Sequence, residues 1–242
     1  MELKECKSAP DECYESGQLS AEQKWLLRKA GRSRIEYFFH SLSWRMPSWL
    51  FKSDHSYIVQ SRQLNLIVSP HPDYQVRSTS IEDLGAFERA HLNPELIASR
   101  LQRGDQCVAV LKDDQLVGWS WSAVGRVFLK LSGTVFDTGD EGFFLYDVYT
   151  APSERLKGFI MNCYELQCDY YRNSRRQNIY SSISVFNTNA LRTHFRMGFN
   201  AVSEIINLKI LGISLSCCYS RSSREGRWQV HFWGSSKAVK LV

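Results

Sequence analysis

The stretch YTAPSERLKGFI, residues 149–160, sets Arg155, Lys157 and Gly158 between two different patterns. GFFLYDVYT before it reads as a strand. ERLKGFIMNCYELQCDYYRNSR, residues 154–175, reads as a long amphipathic helix. The first turn of a helix has N–H groups without intrahelical acceptors and a partial positive charge. Arg155 and Lys157 add full charges, and Gly158 lets backbone approach a ligand closely. Basic residues there oppose the helix dipole, so the turn asks for an anion to offset them. An ordinary helix start with a basic first turn is the plainer reading of the same residues.

A second group lies in VFNTNALRTHFRMGF, residues 185–199. Asn187 stands at a strand end, where its side chain caps the next helix or bonds a ligand amide. His194 on that helix is a candidate acid, because an imidazole titrates near neutrality. Its plainer role is packing beside Phe195. Asp147 and Glu141 lie on or just before the strand 142–150, and Asp147 is the preferred general base, directly or through a water. A solvated strand-end acid explains it equally. Trp119 and Trp121 alternate onto one strand face, as pocket lining or as core.

The surrounding pattern positions these residues. YQVRSTS, residues 74–80, reads as a strand. Ser80 with Asp83 three residues on marks a helix start, and Asn93–Pro94 marks another. QCVAVLKDDQLVGWSWSAV reads as a hairpin. NIYSSISV reads as a strand, NTNALRTHFRMG as a helix ended by Gly198, and FNAVSEIINLKIL and ISLSCCYS as two last strands. From Ala21, Ile35, Phe38, Phe39 and Leu42 recur at helical spacing until Pro47. Pro70 and Pro72 place a boundary near residue 74. The division expected is a mobile tail over 1–20, an N-terminal extension over 21–74, a main domain over 75–220 and a basic segment over 221–242.

The turn and the Asn187 segment together resemble the GCN5-related N-acetyltransferase (GNAT) superfamily over roughly residues 74–220. APSERLKGFI resembles its acyl-CoA motif, (Arg/Gln)-x-x-Gly-x-(Gly/Ala). NTNALRTHFRMGF resembles Asn-x-x-Ala-x-x-x-Tyr-x-x-x-Gly-Phe. Two positions depart from the pattern: Ile160 stands for the small residue and His194 for the acid Tyr. The resemblance implies an α/β (α+β) fold with a mixed, mostly antiparallel central sheet flanked by helices. It implies acetyl-CoA, or another acyl-CoA, as donor. The backbone of Val148, Tyr149 and Thr150 would pair with the pantetheine arm. N–H groups from Arg155 through Lys157, Gly158 and Phe159 to Ile160 would hold the pyrophosphate, and Asn187 would contact the pantetheine. The activity implied is N-acyl transfer to a primary amine on a small molecule or sugar intermediate. A peptide or protein acceptor is the enzyme alternative, and a fold retained for binding without turnover is the non-enzyme one.

Composition bounds the rest. With 242 residues, 43% hydrophobic, the chain can bury a sizeable core. A formal charge of +5 suits an anionic ligand but does not demand nucleic acid. Arg221, Arg224 and Arg227 around Trp228 are the one support for a nucleic-acid binder, and a solvated tail explains them equally well. Seven cysteines without a Cys-x-x-Cys pair, and no leader-like start, point to reduced thiols in the cytoplasm. The six histidines lack metal-ligand spacing, so no metal is expected. No run reaches the ~18 apolar residues of a membrane span. The apolar, basic extension is expected to pack on the main domain, with docking at a membrane surface as the other use of such a helix.

Overall fold

The computed structural model describes residues 19–30, 33–47, 50–65, 72–129, 134–155, 157–211, 213–220, 228–232 and 239–240. Apart from Leu19 and Ser20, the expected tail lies outside them, as do Arg221, Arg224 and Arg227 of the basic segment.

Nine strands make the main sheet: β1 (Phe51–Ser61), β2 (Gln75–Ser78), β3 (Gln106–Lys112), β4 (Gln115–Ala123), β7 (Gly142–Thr150), β8 (Asn178–Ser184), β9 (Asn200–Ile210), β10 (Ile213–Ser220) and β11 (Trp228–Phe232). Their order is β11-β10-β9-β1-β8-β7-β4-β3-β2. Neighbours are antiparallel except β7 and β8, which run parallel. A small second sheet joins β5 (Arg126–Leu129), β6 (Thr134–Asp137) and β12 (Val239–Lys240). The fold is therefore the mixed, mostly antiparallel sheet flanked by helices that the resemblance implied.

Alternation sorts the strand side chains onto two faces. Val108, Val110, Phe143, Leu145, Tyr57 and Val59 face α1 (Ala21–Lys29), α5 (Phe159–Arg172) and α6 (Thr188–Arg196), and share a core with Leu26, Tyr164, Leu191 and Phe195. Cys107, Trp119 and Trp121 face the other way, onto Phe87 of α3 (Leu84–Arg89) and Ile97 of α4 (Pro94–Gln102). Ile58, Phe144 and Ile205 meet the small sheet through Phe136. The tryptophans thus fill core, at 8% and 0% exposure.

The helix starts follow their caps. Ser20 with Gln23, and Ser80 with Asp83, form reciprocal capping boxes, and the Asn93 carboxamide accepts from two first-turn N–H groups. α5 begins at Phe159, later than the sequence pattern suggests, because Pro152–Glu154 form a separate short 3-10 turn.

Two expectations need correction. The extension is not an appendage on a domain that begins near residue 74. Its strand β1 is an interior strand, paired along one edge with β8 and along the other with β9. Nor does α2 (Arg34–Arg45) bury its apolar stripe. It lies along β1, and His40 stacks on Phe186, yet Ile35 and Phe38 are 71% and 61% exposed. The side chain of Trp44, and Trp49 altogether, lie outside the described residues. Strands β5, β6, β11 and β12 were not legible, being short and without clean alternation.

Where β4 meets β7 the ladder carries a bulge. Trp119 opposes Tyr149 and Trp121 opposes Tyr146, so Asp147 and Val148 together face Ser120. Asp147 takes the left-handed conformation at φ +47, which aspartate tolerates better than most residues. Gln167 of α5, 1% exposed, supports the facing strand. Its Nε2 donates to the Ser120 carbonyl (2.9 Å) and the Ser122 hydroxyl (3.1 Å), and its Oε1 accepts from the Ser120 hydroxyl (3.0 Å). Replacing Gln167 with Leu keeps the volume and strands these groups in the core. That should cost about 1–3 kcal/mol for each buried group left unpaired. Urea unfolding of Gln167→Leu at unchanged m-value is the check; a midpoint equal to the parent protein's would show that the amide is dispensable.

Candidate functional site

The parallel pair β7 and β8 stays together only at its start. Registered pairing runs from Gly142–Asn178 to Leu145–Ser181, and the Ser181 hydroxyl donates to the Leu145 carbonyl at 3.2 Å. Past the bulge the strands part. Tyr149 and Thr150 keep their β4 partners, Trp119 and Gly118, and the Ala151 N–H continues the pairing to the Val117 carbonyl (2.8 Å). On the β8 side, residues 146–150 have no partner strand among the described residues. Val148 and Tyr149 are each 38% exposed in the middle of the sheet. This is an interior strand with one open edge, and such an edge is a template for an extended polar chain.

The open edge leads straight to the turn. Ala151 and the 3-10 turn carry the chain to Gly158, the N-cap of α5, at φ +78. That left-handed conformation is the reason a glycine stands there. It leaves the helix N-terminus without a side-chain cap, so the first N–H groups, those of Phe159 and Ile160 among them, point out of the helix end. Ile160 itself is half-buried and packs against the main core, so its bulk goes into the protein.

The charges of the turn are partly committed. Lys157 Nζ donates to Glu154 (2.7 Å) and to the Tyr74 hydroxyl (2.8 Å), and Tyr74 also reaches Glu154 at 2.5 Å. Lys112 adds a looser pair to the same carboxylate at 3.7 Å. With Lys157 and Tyr74 both bonded to it, the Glu154 carboxyl is held down at about 2. Lys157 therefore braces the turn rather than standing free as an anion ligand. Arg155 is exposed and touches the Thr150 carbonyl through Nε at 3.4 Å. Leu156 lies outside the described residues. No short-range pattern marks Tyr74, at the expected domain boundary, or Glu154 as partners of the turn; the fold alone joins them.

Asn187 caps α6, its Oδ1 accepting from the Ala190 N–H at 3.1 Å, and it is exposed just beyond the end of β8. It stands on the β8 arm of the parting and Val148–Thr150 on the β7 arm. Asp147 sits at the vertex. Its carboxylate accepts from Arg100 of α4, whose guanidinium lies 5.0 Å from the Trp121 ring centre and 5.2 Å from that of Tyr146. Glu141 is excluded: it precedes the far end of β7, where its carbonyl accepts from Gln177 and Asn178.

His194 is not the acid expected at that position. It is 7% exposed. Its Nδ1 donates to the Ala190 carbonyl (2.8 Å), and its Nε2 is 3.1 Å from the hydroxyl of fully buried Tyr164, which must then donate to it. Burial lowers its pKa to about 4. A neutral imidazole with both nitrogens engaged has no proton to deliver near pH 7. No sequence signal separates this from a surface histidine; the difference lies in Tyr164, thirty residues away.

Elsewhere, a hollow of about 570 Å³ lies between α1, α2 and β1. On its floor His55 Nε2 meets Glu204 at 2.7 Å, and Nδ1 faces Glu36 at 3.4 Å. Among the described residues, no group of three or more His, Cys, Asp or Glu is arranged to hold a metal. No described helix is long and apolar enough to cross a membrane.

No family model matches the chain, and no curated protein matches it. Solved structures similar to it include a Trypanosoma brucei acetyltransferase, at 17% identity and TM-score 0.41, over 53% of this chain and 94% of that one. A ribosomal-protein-alanine N-acetyltransferase from Brucella melitensis is similar at 16% identity and TM-score 0.41, over 52% and 84%. A Drosophila protein is similar at 11% identity and TM-score 0.47, over 67% of this chain and 52%, about half, of that one. Likenesses this distant say nothing about chemistry, which has to come from the site itself.

The buried histidine gives a pH signature. Its folded pKa of about 4 lies below the ordinary 6.5, so the unfolded chain binds the proton more readily. The stability this confers is complete above pH 6.5 and is lost as pH falls towards 4. The loss is on the order of 3 kcal/mol. His194→Phe should lower stability at pH 7, by stranding the Tyr164 hydroxyl, and should flatten the decline between pH 6.5 and 4. Thermal melts across that range check it; parallel curves for the two proteins would place the proton uptake elsewhere.

Proposed function

We propose that the protein is an acyl-CoA-dependent N-acyltransferase, with acetyl-CoA or a close relative as donor and a primary amine on a small molecule as acceptor. One observation carries this reading. The open edge of β7 at residues 147–150 runs directly into the uncapped, glycine-started N-terminus of α5. A ligand that fits both has an extended, amide-bearing arm joined to a pyrophosphate. The arm adds to the strand as a further β-strand does, and the phosphates meet the helix N–H groups. The pantetheine and pyrophosphate of coenzyme A have this composition. Val148, Tyr149 and Thr150 offer the backbone groups, and Asn187 offers a carboxamide from the opposite arm. Arg155 supplies exposed charge, while Lys157 fixes the turn.

The amine nitrogen forms a bond to the thioester carbonyl carbon, the carbon–sulfur bond breaks, and sulfur leaves with the electron pair. The ammonium form of the acceptor must first give up a proton. Asp147 is the carboxylate placed to attract that ammonium and to take the proton, directly or through water. Removal of the leaving group does not require His194. A thiol of ordinary pKa, about 8.5, departs as the thiolate; the acylated nitrogen gives its second proton to solvent, and solvent protonates the thiolate.

A second reading is favoured by one feature. The position where an acid was expected holds none, as in a module that binds the coenzyme without turning it over. The two readings part on thiol release in the presence of amines.

Acetyl-CoA at a hundred times its Kd should stabilise the protein by about 2.7 kcal/mol, a rise of about 5–10 °C for a chain of this size. Gly158→Asp puts a carboxylate and a Cβ where the phosphates would lie and should abolish the rise. Calorimetry showing no binding of coenzyme A to the parent protein would falsify the donor assignment. Binding without thiol release from any amine would leave the module.

A further inference from the structure

The acceptor face of the vertex carries an ion pair of unusual construction. Arg100 is the inner partner, its side chain 15% exposed, and Asp147 the outer one, at 44%. The guanidinium is held by the faces of Trp121 and Tyr146. Tyr146 is fixed in turn, its hydroxyl donating to Asp105, which Arg103 also holds. A guanidinium has five N–H donors in one plane. Among the described residues, Asp147 is its sole hydrogen-bond partner, through Nη1. Beside it, the indole N–H of fully buried Trp121 has no acceptor among the described residues. Buried donors without partners are rare and call for an explanation. A rigid cation with unspent donors therefore sits next to an exposed carboxylate, at the residue where the open edge of β7 begins.

We infer that the acceptor is an amino acid or a close analogue, a zwitterion with its carboxylate one or two carbons from the amine. The inference rests on the acyl-transfer reading and adds the substrate class. The acceptor carboxylate takes the spare donors of Arg100, and its ammonium takes Asp147. A neutral pair in the protein opens to admit a neutral pair of charges, so no net charge enters the site. An amine without a carboxylate would draw Asp147 away and leave Arg100 facing aromatic rings alone, which is the costly way to break such a pair. The geometry also orients the nucleophile. With the carboxylate held on the α4 side and the ammonium on Asp147, the nitrogen is presented to the open edge, where the thioester would lie.

The test measures thiol release from acetyl-CoA with L-amino acids, with their carboxamides and with the corresponding decarboxylated amines, while melting curves report the donor. The free amino acids should be preferred by about 10- to 100-fold in kcat/KM, as expected for a lost charge-assisted contact. The difference should lie mainly in KM. Arg100→Met should erase the preference while the acetyl-CoA melting shift persists, and Arg100→Lys should keep part of it. If Arg100→Met does not fold, Asp147→Asn serves: the proton acceptor is lost while the Arg100 contact stays in place, so kcat should fall and KM rise for all three acceptor types alike and the preference should remain. Equal or better use of the carboxamides or amines by the parent protein overturns the inference, as does refusal of every free amino acid by a protein that acetyl-CoA stabilises. No melting shift at all removes the donor reading itself, and the inference with it.

Discussion

Two parallel strands that begin paired and then separate are the constraint on which the rest of this structure depends. A sheet does not open in its middle without cause, because the backbone groups so exposed lose their partners. Here the cause is local. One extra residue in β7, absorbed at Asp147 in a left-handed conformation, turns the strand away from β8. The facing residue, Ser120, is held by Gln167 of α5. The helix whose N-terminus is proposed to hold the pyrophosphate is thus pinned at its centre to the strand opposite the bulge. Opening of the edge and placement of the helix end are two consequences of one packing arrangement.

Charge is distributed around this frame in two separate sets. On the α5 side, Lys157, Tyr74, Glu154 and Lys112 bind one another and stiffen the approach to the helix. On the α4 side, Arg100, Asp147, Tyr146, Asp105 and Arg103 do the same at the vertex. The first set leaves backbone N–H groups as the means of holding an anion, and the second leaves a side-chain cation with donors to spare. That division suits a site in which one substrate is recognised by shape and backbone and the other by charge.

Much of the fold was legible because local rules governed it. The caps at Ser80 and Asn93, the hairpin of β3 and β4, and the glycine at residue 158 each carry their structural reason in a few neighbouring residues. The site was legible only where backbone was concerned. Gly158 and the strand 142–150 stand where their pattern puts them, whereas the meanings of His194 and Lys157 were set by Tyr164, Tyr74 and Glu154, contacts with no short-range signature. Arg100 was invisible for the same reason: on its helix it reads as one more charged residue, and only the fold brings it over Trp121. The central position of β1 was equally hidden, since alternation identifies a strand but not its neighbours.

That central position has a consequence for how the chain reaches its native state. β1 leaves the ribosome well before both strands it pairs with; His55 and Glu204, joined across β1 and β9, are 149 residues apart. The half of the sheet from β1 to β9 cannot close until β8 and β9 have emerged, and contacts of such long range form slowly. Until then an apolar strand containing Tyr57, Ile58 and Val59 waits unpaired, the kind of segment that chaperones shield and that aggregation recruits. The last turn in the assembly of the sheet is therefore the return of β8 and β9 to β1.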